Sequence, residues 1–439
     1  MDLLIFVEKK SSRIEYIFNH IFNRVLGLSI SYTNDVYEFQ RTAIPKIEYS
    51  KKPFSDALFF HAEDLLFEDD IRTQNIIINH YNNVEVFFSC SNVNSCLPFD
   101  PFAASFYMLS RYEEYVSDEK DHLGRFPARS SLAYQNNFLD KVVVDYWILF
   151  IKEKINEKFP NLVLKNHTFK FFNTIDVDNA FAYSGKSFIR TVGSLVKDFF
   201  RFDFKKITQK ANYFSNKIKD PYDTYEYLLN VHDKYNLTTF FFFLLADYGK
   251  YDRGVHFSNK KLQNTIKQIS NSCSIGIHSS FASIESPNKI QCEIQRLELI
   301  TNQDVEMNRQ HFLSLNIPQN YQNLLKYDIK HDYSMGFPSV VGFRAGTCYD
   351  FHFFDLTKNT CTDLLIHPFC IMDVTLKDYM KLNPTQAFNV IKKIVNEVKN
   401  VNGNFISIWH NESLDFEGPW LFWDNVYEDM IKYITNERN

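Results

Sequence analysis

An α/β fold built on a parallel sheet is what this sequence predicts, and three observations predict it. Beyond Leu164, short apolar stretches alternate with longer helical ones, the pattern of parallel strands joined by helices. Several of those stretches run straight into Asp, His or Arg. That puts chemistry at the carboxyl ends of strands and favours a seven-stranded (β/α) barrel over an open nucleotide-binding sheet. Neither a dinucleotide fingerprint nor a P-loop pattern occurs, so nucleotide chemistry has no support.

The seven strands are expected over Phe169–Ile175, Thr239–Leu245, Cys273–Ile277, Val305–Arg309, a short one near Tyr333, Leu364–Met372 and Asn404–Trp409. Helices over Asp223–Tyr235, Asn259–Ser270 and Lys289–Leu299 lie between several of them. A smaller α/β domain is expected to precede this region. It opens with a strand over Leu3–Val7, followed by a helix with Ile14, Ile17, Ile21 and Val25 on a 3.6-residue period. Short strands are plausible at Ala57–Phe60 and Val84–Phe88, and Pro98–Phe102 is a turn opening a helix that runs through Tyr112. A helix around Val142–Ile155 ends in the charged tail Lys152–Lys158 and Pro160. The expected division is therefore 1–164 and 165–439, a length that suits two domains or one elaborated barrel.

Composition narrows the function classes. Hydrophobic residues make up 45% and charged residues 23%, which is ordinary globular usage. The 44 Phe and 25 Tyr go with an Asn-, Ile- and Lys-rich chain, as an AT-rich genome produces, and carry little weight for a carbohydrate surface. Net charge is −5, and Lys205, Lys206 and Lys210 read as a solvated helix face, so nucleic acid is not an expected partner. The longest apolar run, Phe240–Ala246, is too short to span a bilayer, and the N-terminus does not read as a signal peptide. Seven scattered cysteines form no CxxC pair, which fits a reducing compartment, and the expected location is cytoplasmic.

The most informative stretch is Phe171–Asn179. Asp176 and Asp178 are spaced i, i+2, so on a strand both carboxylates face one side. Like charges held together call for a bound cation, for one carboxylate acting as a base, or for an Asx-rich turn that simply caps the strand. Ser274–Ile277 leads into His278, a metal-ligand setting or a structural histidine. Later strands deliver Arg309, His311, Asp373 and His410, and Arg344 sits in Gly342–Thr347. This inventory suits metal-assisted hydrolysis: a polarising cation, a carboxylate base and a histidine acid.

Over about residues 165–415 the order of these groups resembles that of the polysaccharide deacetylases, carbohydrate esterase family four, whose fold is a distorted seven-stranded (β/α) barrel. Thr174–Asp178 is similar to the family's first motif, and the resemblance implies Asp176 as base and Asp178 as metal ligand. Ile275–Ser279 is similar to the start of the second motif and implies His278 as a ligand. Arg309, followed by the family-like segment Tyr327–Ser334, is the implied arginine that orients the base, with Arg344 as a rival. Asp373 is the implied partner of the acid histidine, and His410 the acid. The family's second histidine, four residues after the first, is Ala282 here, so His311, His256, Ser283 or water would complete the shell. His311 is carried forward as the third metal residue.

The activity so implied is removal of an acetyl group from an amino sugar in a cell-envelope polysaccharide or its precursor. It would depend on one divalent cation, zinc with cobalt and nickel as alternatives. The implied partner is a saccharide. Ala282 favours a rival class, a non-catalytic saccharide-binding protein with a degenerate barrel. A two-metal amidohydrolase barrel is weakened by the absence of an HxH pair after the first strand. Residues 1–164 resemble the extra α/β domain that precedes the barrel in some bacterial relatives.

Overall fold

Leu3–Val7 (β1), Ile30–Thr33 (β2), Lys46–Ser50 (β3) and Leu58–His61 (β4) form a parallel sheet in the order β2-β1-β3-β4 in the computed structural model. The structure describes residues 2–185, 200, 204–215, 218–416 and 418–435. Every β1 side chain is buried, so this first strand reads as a continuous apolar run, as a central parallel strand does. The following helix is α-helical over Ser12–Phe18 and π-helical over Asn19–Val25, where the periodicity predicts one regular helix. Asn79–Tyr81 (β5) and Val84–Val86 (β6) make a hairpin.

Asp100 caps the next helix, Pro101–Leu109: its Oδ1 accepts the N–H groups of Phe102 and Ala103, and proline occupies the first turn. Its Oδ2 accepts from Tyr49 Oη and Glu63 N–H, tying that helix to the small sheet. The helix Val143–Lys158 buries Val143, Val144, Trp147, Ile148, Ile151 and Ile155, one face at helical spacing.

A second sheet has nine strands: Lys170–Val177 (β7), Thr238–Phe243 (β8), Ser274–Ser279 (β9), Met307–Gln310 (β10), His331–Asp332 (β11), Phe351–Asp355 (β12), Thr360–Ile366 (β13), Ile371–Met372 (β14) and Asn404–His410 (β15). Their order is β12-β13-β11-β10-β9-β8-β7-β15-β14, parallel except for the edge strand β12. The stretch Leu364–Met372, expected as one strand, is two. β13 pairs with β11 and β14 with β15, so one chain segment reaches from one side of the sheet to the other. His367-Pro368 interrupts it, because proline has no N–H to give to a ladder.

Strand periodicity carries the chemistry to one face. Phe240 and Phe242, Met307, and Ile406 and Ile408 pack in one apolar cluster with Leu313, Tyr333, Phe369 and Met372. Continuing in steps of two along the same strands gives Arg309 and His410, and from Phe172 through Thr174 gives Asp176. The polar group therefore stands at the carboxyl end of an apolar floor.

Residues before 160 pack directly on this sheet. Val144 N–H donates to Gly346 O (2.9 Å), and Phe343 N–H donates to Leu139 O (2.8 Å). Gly342 has φ +129°, and a Cβ there would lie 2.4 Å from Leu139 O, so this close backbone approach requires glycine. Phe106 and Phe354 meet edge-on at 5.1 Å across the same boundary. The lysine cluster lies on the helix Phe204–Phe214; Lys210 is buried rather than solvated, and the side chains of Lys205 and Lys206 lie outside the described residues. Among the described residues, no helix is long and apolar enough to cross a membrane.

Candidate metal centre

Register brings the strand ends together. β15 pairs with β7 so that His410 stands opposite Asp176, and β10 pairs with β9 so that Arg309 stands opposite His278. Asp178, just beyond β7, places Oδ1 at 3.0 Å from His278 Nε2 and Oδ2 at 3.3 Å from His311 Nε2. One candidate ligand atom from each of these three residues lies within 4.8 Å of the others. His311 follows Arg309 by two residues and so shares its face, although the chain turns sharply there, with Phe312 and Leu313 both at positive φ.

Each imidazole is aimed from behind. His278 Nδ1 lies 2.8 Å from the Arg309 carbonyl, and His311 Nδ1 lies 2.8 Å from Asp252 Oδ1. Partners at both Nδ1 atoms leave both Nε2 atoms facing Asp178, the arrangement that orients metal-binding histidines. Asp252 also accepts the N–H groups of Phe281 and Ala282. Its loop passes close over the site: a Cβ on Gly254 would lie 2.9 Å from Asp178 O.

The electrostatics favour positive charge. Burial opposes ionisation of Asp178, yet His311 and His278 hold its carboxyl well below the ordinary carboxylate range. Burial likewise works against a charged His311, but Asp178 and Asp252 raise its pKa to about 9. One carboxylate and two oriented imidazoles are the nitrogen and oxygen donors that zinc takes, and cobalt and nickel also accept them.

Asp176 is buried beside this group. Its Oδ2 is 3.9 Å from His278 Nε2, and its Oδ1 is 3.5 Å from Arg309 Nη1. Arg309 is fully buried, stacked over Phe242 at 4.8 Å, and has no hydrogen-bond partner for its side-chain nitrogens among the described residues, so Asp176 is its nearest countercharge. On the other flank, His410 Nδ1 is 2.8 Å from Asp373 Oδ1, while Asp373 Oδ2 accepts His410 N–H and the Ser413 hydroxyl. Burial works against a charged His410, but Asp373 raises its pKa well above the ordinary histidine value.

Arg344 is not part of this assembly. Its Nε and Nη2 bond the two carboxylate oxygens of Glu114 at 2.9 and 2.6 Å, and Nη1 bonds Gly336 O. Its charge is spent where the region before residue 160 meets the sheet. His256 is exposed and bonded to Ser258, and the Ser283 hydroxyl donates to Ser280 O, so neither is in the ligand group.

The cluster lines a cavity of about 130 Å³ together with Arg125, Phe312 and Tyr379. A roomier cavity of about 560 Å³, between Tyr16, His20, Arg24 and His352, shares no residue with it. Sequence reading missed Asp252 and Arg125. Both come from loops, where no periodicity marks a side chain's direction.

A family model described as a family of unknown function (DUF7033) matches residues 3–160. No curated protein matches the chain. Among solved structures, the chain is similar to a polysaccharide deacetylase structure from Mycobacterium smegmatis, at 14% identity and TM-score 0.41, covering 62% of this chain and 85% of that one. It is also similar to the polysaccharide deacetylase Bc1974 from Bacillus cereus, at 11% identity and TM-score 0.32, covering 62% and 89%. A CE4 family pseudoenzyme from Bacillus anthracis is similar at 10% identity and TM-score 0.29, covering 60% and 62%.

Proposed function

We propose that this chain is a metal-dependent hydrolase that removes an acetyl group from an amino sugar of a cell-envelope polysaccharide or its precursor. The observation that carries the reading is the convergence of His278 Nε2 and His311 Nε2 on Asp178, between the Asp176–Arg309 pair and the His410–Asp373 pair. Residues 165–439 are read as a distorted deacetylase-type barrel, closed by the segment that pairs first with β11 and then with β15. Residues 1–164 are read as a smaller preceding domain. A cytoplasmic location would favour a soluble or lipid-linked precursor as substrate.

Asp178, His278 and His311 would hold the cation. When bound, it supplies Lewis-acid polarisation of the acetyl carbonyl and makes water more acidic. Asp176 takes a proton from the attacking water, with the buried Arg309 guanidinium as its countercharge 3.5 Å away. His410, oriented by Asp373, gives a proton to the departing amine. The saccharide-binding rival draws on Ala282; the approach of His311 Nε2 to Asp178 at 3.3 Å supports the hydrolase reading.

The test is acetate release from N-acetylated chito-oligosaccharides by zinc-loaded protein. Asp176→Asn is expected to retain zinc and lower kcat by about 10²–10⁴, the usual worth of a general base. Turnover close to wild type in that variant would remove Asp176 from the mechanism. Absence of turnover by zinc-loaded wild type on acetylated saccharides of every length would favour the rival.

A further inference from the structure

Arg125 belongs to the region before residue 160, yet it lines the cavity of the metal cluster. Its side chain is 4% exposed. Nε donates to Asp121 Oδ2 at 2.7 Å, and Nη1 donates to the Phe312 carbonyl at 2.7 Å, one residue past His311. Asp121 is occupied in turn, its Oδ1 accepting the N–H groups of Leu123 and Arg125. The loop is fastened to the cleft wall as well: Ser314 Oγ donates to Leu123 O, and Lys120 Nζ donates to Asn316 Oδ1. These bonds use Nε and one hydrogen of Nη1. The rest of the guanidinium fork has no partner among the described residues.

An arginine held at both Nε and Nη1 is fixed against swinging out to solvent, and its remaining donors, on Nη2 and the second hydrogen of Nη1, stay in the guanidinium plane, a geometry that suits an oxyanion. The groups proposed for the reaction do not need it: Asp176 already has Arg309, and Asp178 has His278 and His311.

We propose that Arg125 is a specificity-determining residue that receives an anionic group, carboxylate or phosphate, carried by the saccharide. This rests on the amino-sugar hydrolase reading and deepens it, because it gives the substrate a charge. It also gives the region matched by the family of unknown function a part in the cleft.

The experiment is calorimetric binding to zinc-loaded protein of three probes: N-acetylglucosamine, N-acetylglucosamine 1-phosphate and N-acetylmuramic acid. Wild type is expected to prefer at least one charged probe by about tenfold, the phosphate or the carboxylate arm identifying the source. In Arg125→Gln that ratio falls to about 1, and in Arg125→Lys it is intermediate, because the charge stays and the fork is lost. Neutral and charged probes binding wild type equally would overturn the proposal and leave the hydrolase reading standing. A ratio unchanged in Arg125→Gln would do the same. Failure of all three probes to bind wild type would overturn the proposal, while acetate release from acetylated oligosaccharides would still decide the hydrolase reading. The wild-type comparison needs no variant to fold, and the salt dependence of the charged probe's affinity gives a second reading of the ion contact.

Discussion

His311 and Asp252 are bonded Nδ1 to Oδ1 at 2.8 Å across 59 residues of sequence. This one bond sets the imidazole's direction, because a partner on Nδ1 leaves Nε2 to face Asp178. Asp252 is itself held by two backbone N–H groups, from Phe281 and Ala282. Ala282, where the resemblance leads one to expect a histidine ligand, thus contributes its backbone to the support of a different histidine.

Asp252→Asn keeps the size of the side chain and removes its charge. Zinc affinity is expected to fall by about 10–100-fold, the usual effect of losing an outer partner of a metal-bound histidine. Competition with a chromogenic chelator measures it. Unchanged affinity would mean that Asp252 merely caps the Phe281 turn.

Ala282→His is expected to leave zinc affinity nearly unchanged, because in the proposed site His311 would supply the second imidazole. His311→Ala should weaken binding strongly. The pair is read by titration with zinc, and by cobalt absorption as a check on donor number. Tighter binding in Ala282→His would mean that His311 is not a ligand and that a place is open four residues after His278.

Asp176, Asp178, His278 and His410 are legible in the sequence because each ends or follows an apolar strand, and a period of two decides which face it takes. Arg309 and His311 obey the same rule. Arg344 misleads because Gly342-Phe343-Arg344-Ala345 looks like a motif locally, while its partner Glu114 lies 230 residues away. The split of Leu364–Met372 between two sides of the sheet depends on which strands meet, and no local pattern encodes that. The strands β2 and β3 escape notice for another reason: β2 is short and only partly buried, and β3 carries Lys46 and Glu48 within its five residues.

Arg344 therefore belongs to stability. It shares Glu114 with Arg111, whose Nε bonds Glu114 Oε1 at 2.9 Å while its Nη2 reaches Glu113. Removing one member of a buried pair costs about 3–5 kcal/mol, because the other charge stays buried. Arg344→Ala is expected near the lower end, since Arg111 remains beside Glu114. Urea unfolding measures this, with zinc affinity expected to be unchanged. Loss of zinc or of turnover in a folded Arg344→Ala protein would return Arg344 to the site.

The last expectation concerns acid. His20 is buried, with neither ring nitrogen hydrogen-bonded among the described residues, and burial first, then Arg24, lowers its pKa to about 3. Burial lowers that of His367 to about 4. In the unfolded chain both titrate near about 6.5. A depressed folded pKa means that the unfolded state binds protons more readily. The stability these groups contribute is thus full above about 6.5 and lost as pH falls toward their folded values. The contribution of these two histidines to the urea midpoint should therefore shrink between pH 7 and pH 5, opposed by Asp145 and Glu293, whose carboxyls burial raises to about 7. His20→Phe keeps a ring of similar size without a titrating nitrogen, so its midpoint should gain on that of wild type as pH falls over the same interval. A constant difference between the two midpoints from pH 7 to pH 5 would show that His20 is not a source of acid sensitivity.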